Sequence, residues 1–139
     1  MAHREALIVV CGDGACLMPA IIFMDQQGFP LRAGQAATFD YPTYPGAGAL
    51  DNPHILLEEV GVYVGVHGVK HIFLTVHDGC AKVPDPVEQE LRLMALFEMV
   101  CTHFADTSVE TVTALRLKDG FSVEMLRHNA IKREHAVGE

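Results

Sequence analysis

The chain has 139 residues, half of them apolar and 20% charged, which suits one globular domain over residues 1–139 and excludes intrinsic disorder. A formal net charge of −8 excludes nucleic acid and anionic membrane as partners, because both require a basic stripe. No early stretch reads as a secretory signal and no apolar run would span a bilayer, so the expectation is a cytoplasmic protein whose four cysteines are reduced.

Ala6 to Val10 is continuously apolar and ends at Cys11-Gly12-Asp13-Gly14, the pattern of a buried parallel strand followed by its loop. Leu17 to Met24 predicts a short helix with Pro19 in its first turn. Phe29 to Gly34 predicts a second strand, at a sheet edge because of Pro30. Residues 35–52 form the one long irregular stretch, either a functional loop or a surface loop packed on its own tyrosines, Tyr41 and Tyr44.

Asn52-Pro53 caps a helix that carries Ile55, Leu56, Val60, Tyr63, Val64 and His67 on a helical period and ends near Gly68. Val69 to Val76 predicts the third strand, ending at His77. Pro84-Asp85-Pro86 opens a long helix, whose broad apolar face is expected to hold Leu91, Met94, Ala95, Phe97, Cys101 and Phe104, with Glu98 as a polar interruption. Val109 to Leu117 predicts a fourth strand. Lys118-Asp119-Gly120 turns the chain into a short hairpin strand over Phe121 to Leu126, and the last dozen residues read as polar and mobile.

Strands alternating with helices predict an α/β fold in which a mostly parallel sheet has helices on both faces. Sites in such sheets form beyond the carboxyl ends of the strands. Cys11 follows the first strand, and His77-Asp78-Gly79-Cys80 follows the third. Were those strands neighbours, two thiolates and an imidazole would meet, a donor set that zinc prefers. Cys16 lies close enough in sequence to be a ligand or redox partner of Cys11, or simply a buried core residue. Asp78 could accept a proton or be an exposed turn residue.

Cys-x-Asp at one strand end and His-x-x-Cys at another resemble the β-class carbonic anhydrases, which carry Cys-x-Asp-x-Arg and His-x-x-Cys-Gly. The resemblance extends in order through Leu31-Arg32-Ala33-Gly34, through Glu58 to Ile72, and through Ala114 to Gly120. It implies a three-layer fold with sheet order 2-1-3-4 and a short antiparallel fifth strand. It also implies a zinc ion (Zn2+) on Cys11, His77 and Cys80, with water or Asp13 in the fourth position. Hydration of carbon dioxide or a related small molecule would follow, with Asp13 catalytic, in a homodimer or higher homo-oligomer.

The chain departs from that family where Ala15 stands in place of the arginine that pairs with the aspartate. Asp13 thereby loses a charge-assisted partner, and a carboxylate freed from it can close a four-ligand site with no room for a nucleophile. Arg32 is the candidate substitute for that arginine. Only about five residues precede the first strand, where family members carry helices that wrap the partner subunit. A smaller interface is therefore expected, with Tyr41 and Tyr44 as candidate walls of the substrate cleft. The competing expectation is a non-catalytic zinc-binding homologue with a structural or regulatory role.

Overall fold

In a computed structural model, residues 4–131 are described, the surroundings of positions 14, 15 and 120 excepted; the polar end from 132 onward, with His135, and the start, with His3, lie outside them. Five strands form one sheet: β1 (Ala6–Val9), β2 (Phe39–Asp40), β3 (His71–His77), β4 (Thr111–Leu117) and β5 (Val123–Ala130). Their order is β2-β1-β3-β4-β5, with only β4 and β5 antiparallel. The expected order is the observed one.

Helix α1 (Gly14–Gln26) covers one face of this sheet, while α2 (Pro53–His67) and α3 (Pro86–His103) cover the other. Every residue of β1 is fully buried because it contributes alternately to both layers: Leu7 and Val9 pack with α2 and α3, Ala6 and Ile8 with α1. Sequence-local chemistry sets the helix limits. The Asn52 side chain accepts from the His54 amide and Asp85 accepts from Val87, each with proline in the first turn, and α2 stops at Gly68. Among the described residues no helix is long and apolar enough to cross a membrane.

Four expectations need correction. The second strand is not Phe29 to Gly34. The Phe29 amide bonds back to Met24 O as α1 ends, and Arg32 to Gln35 closes as a turn, so those groups are spent before any ladder can form. The strand instead lies at Phe39–Asp40, inside the stretch expected to be irregular, followed by a bridge from Val10 to Thr43 and a buried 3₁₀ turn at Ala47–Ala49. Pro19 sits inside α1, which begins earlier, at Gly14.

The buried stripe of α3 is Gln89, Leu93, Leu96, Phe97 and Val100, while Leu91 faces solvent. Hydrophobicity alone skipped the glutamine that completes the stripe. Finally, β5 runs to Ala130 rather than ending at Leu126, since ladder bonds to β4 do not depend on apolar side chains at an exposed edge.

The 3₁₀ turn is wedged between β3 and α3. A Cβ on Gly48 would lie 2.8 Å from the Thr75 carbonyl oxygen and 2.6 Å from Leu93 Cδ1. The leucine can rotate, but the strand backbone cannot. Gly48→Ala is expected to lower unfolding free energy by about 1–3 kcal/mol, read from urea denaturation; an unchanged midpoint would show that the turn is loosely seated.

Candidate metal centre

Parallel pairing of β1 with β3 places Val9 beside Leu74. Both strands therefore end on the same edge of the sheet, and Cys11 emerges there next to His77. Beyond His77 the ladder continues for one bond, from the Asp78 amide to Leu117 O at 3.1 Å. Gly79 then takes a left-handed φ of 75°, which turns the chain so that Cys80 comes back beside His77. The outcome is a cluster of Cys11 Sγ, Cys80 Sγ and a His77 ring nitrogen, all within 4.8 Å of one another.

His77 is oriented for such a role. Its Nδ1 lies 2.9 Å from the Asp78 carbonyl oxygen, which can only accept, so Nδ1 carries the proton. The lone pair is then on Nε2. Among the described residues, His77 Nε2 is the buried side-chain polar atom with no hydrogen-bond partner. An orphaned buried acceptor costs about 1–3 kcal/mol, and a metal ion offsets that cost. Two sulfurs and one imidazole nitrogen, the ring steadied by a carbonyl, match the ligand chemistry of zinc.

The other sequence candidates are spread around this centre. Asp13 is exposed, just ahead of α1, and its backbone carbonyl accepts from the Cys16 amide. Arg32 is exposed and pairs with Asp25 at 3.2 Å. Tyr41 is half-exposed and leans on Phe39, beside a groove that also holds Arg4, Asp40 and Tyr63. Tyr44 is buried in the α2/α3 layer, where its hydroxyl donates to Glu59 at 2.5 Å. Burial, and then that carboxylate, push the Tyr44 hydroxyl above its usual pKa.

Cys16 is a core residue of the α1 layer. Burial, followed by the charges of Cys11, Asp13 and Cys80, raises its pKa to about 12. Two residues escaped notice in the sequence. Gln89 and Arg116 are both buried and both bonded to the segment that carries His77 and Cys80. Their signal was there: an arginine within Ala114-Leu115-Arg116-Leu117 must be compensated if that strand is interior.

A tetrameric β-carbonic anhydrase from the filamentous ascomycete Sordaria macrospora superposes with a TM-score of 0.56 at 13% identity, over 94% of this chain and 84% of that one. The fold is that of the β-carbonic anhydrases. A carbonic anhydrase from Glaciozyma antarctica gives a TM-score of 0.52 at 9% identity, covering 89% of this chain and 82% of that chain. The β-carbonic anhydrase of Aspergillus fumigatus gives 0.50 at 16%, covering 90% and 76%. No family model matches the chain, and no curated protein matches it either.

The thiols of this β-carbonic anhydrase-like fold should differ in reactivity. In metal-free protein at pH 8, alkylation followed by mass spectrometry should label half-buried Cys11 first and Cys16 only on unfolding. Equal rates would contradict the burial. Cys16 stays protonated in the folded chain above its ordinary value near 9, so its contribution to stability is lost as pH climbs from about 9 towards about 12. Cys16→Ala should flatten that alkaline loss.

Proposed function

We propose that this chain binds zinc through Cys11, His77 and Cys80, and that it hydrates carbon dioxide or a related small molecule. The observation that carries the reading is the buried, unpartnered His77 Nε2 beside two thiols. The three neighbours named as carbonic anhydrases lend support through their shared fold. When bound, zinc supplies a Lewis acid that lowers the pKa of a water to about 7 and so provides hydroxide for attack on carbon dioxide. The residues of the chain divide the remaining work. His77, with its Nδ1 proton committed to the Asp78 carbonyl, is a ligand of fixed orientation. Asp13, exposed and two residues after Cys11, is the group to accept a hydrogen bond from the nucleophile or else to take the fourth position itself.

Ala15 favours a second reading. Without the arginine of the family motif, Asp13 closes the site and the zinc is structural or regulatory. In either case the proposed setting is the cytoplasm, and the proposed assembly is a homo-oligomer, as in the tetrameric Sordaria enzymes.

Purified protein should contain about one zinc per chain, and His77→Ala should weaken zinc binding on the order of 100-fold or more. Metal-free native protein that refuses zinc would sink both readings. Stopped-flow hydration of carbon dioxide then separates them: activity above buffer, abolished in His77→Ala, is the expected result. Full zinc occupancy without turnover would favour the closed site, and Ala15→Arg should then create activity.

A further inference from the structure

Two of the three proposed ligands, His77 and Cys80, lie on one short segment, residues 77–83, and that segment is held from behind by α3 and β4. Gln89 Nε2 donates to His77 O at 3.0 Å and to Val83 O at 2.7 Å, spanning both ends of the segment. Its Oε1 accepts from Arg116 Nη1 at 2.7 Å, which orients the amide so that both of its protons face the segment. Arg116 Nη1 also reaches Asp78 Oδ1 at 3.2 Å. On the far side, Arg116 Nη2 donates to Pro86 O at 3.3 Å and pairs with Glu90 at 3.4 Å, anchoring the group to the first turn of α3.

The Gln89 amide and both Nη groups of Arg116 are therefore engaged with the ligand segment or its anchor. Gln89 is 2% exposed and the Arg116 side chain 7%, so neither serves solubility. Along β4, Val112 and Ala114 pack with the α2/α3 layer, and Arg116 continues on their face to meet Gln89. Other polar contacts of α3 with the sheet lie at β5, Arg127 with Glu98 and Asn129 with Cys101, away from the ligand segment.

We infer that Gln89 and Arg116 are positioning residues for the metal centre, acting through the His77 carbonyl and the Asp78 carboxylate to hold His77 and Cys80 at ligand spacing. The inference rests on the zinc reading above and deepens it. It assigns to α3 and β4, which supply no ligand, control over how tightly the metal is held. It also gives Asp78 a role as an outer clamp rather than a proton acceptor.

The test measures zinc affinity by chelator competition at 25 °C, where all variants are folded by circular dichroism, together with the visible spectrum of the cobalt-substituted protein. Gln89→Leu should weaken zinc about 10- to 100-fold and shift the cobalt bands. Asp78→Asn, a change on an exposed turn that preserves the fold, should weaken zinc about 10-fold, the low end of such effects. It decides the matter should Gln89→Leu not fold. Arg116→Lys keeps the charge but loses the fork, and should retain part of the affinity. Arg127→Met is the control, since it breaks a different ion pair onto α3, with Glu98, and should leave affinity and spectrum unchanged. Zinc uptake by wild type with unaltered affinity in Gln89→Leu and Asp78→Asn overturns the inference while the metal reading stands. Wild type that takes up no zinc overturns both.

Discussion

Parallel pairing of β1 with β3 is the contact on which the rest of the molecule depends. It joins Ala6–Val9 to His71–Leu74 across nearly half of the chain, and it brings two strand ends to one edge. An apolar strand buried on both faces gives little information about register, because a slip by one residue exchanges one apolar layer for another. Thr75 supplies what the apolar residues cannot. Its hydroxyl donates to Val9 O at 2.6 Å, in the interior, where the loss of that bond has no substitute in water. The same strand segment accepts the tight approach of Gly48, so register, the 3₁₀ turn and the seat of α3 are specified together.

The elements with strong local chemistry were legible in the sequence. Asn52-Pro53 and Asp85-Pro86 announce helices because a capping side chain and a proline act on the backbone beside them. The three ligand candidates were legible for a similar reason: Cys11 and His77 close apolar runs, and glycine stands beside Cys11 and beside Cys80. What could not be read was set by distant partners. Phe39–Asp40 becomes a strand only because β1 needs a neighbour, although nothing about two residues announces a strand. Phe29 to Gly34 has the composition of a strand, yet the end of α1 uses its first amide. Leu91 looks like core and faces water, while Gln89 looks like surface and is interior.

Arg116 shows how a charge survives in such an interior. Its guanidinium meets two carboxylates, a side-chain amide and a backbone carbonyl, all from α3 or the ligand segment. Asp78 and Glu90 are themselves half-exposed, so water can replace either carboxylate, whereas the interior bond to Gln89 has no such substitute. Asp40 is handled in the same way at the opposite end of the sheet, between Arg4 at 3.1 Å and the His67 Nδ1 at 2.7 Å. The fold thus has a compensated buried charge near each end of the sheet, and only one of them touches the candidate metal centre.

The turn at Cys11 and the turn at His77–Cys80 lie on separate branches of the chain, with α1, β2, the 3₁₀ turn, α2 and β3 strung between them. An ion gripping both branches would act as a reversible clasp across that span. Gathering ends so far apart in an unfolded chain costs roughly 4 kcal/mol in loop entropy, whereas the folded sheet has already brought them together. Metal uptake would therefore be reserved largely for the folded chain. Chelation would be felt as a loss of resistance to heat and proteases throughout the β1–β3 half of the molecule, well beyond the three side chains that let go.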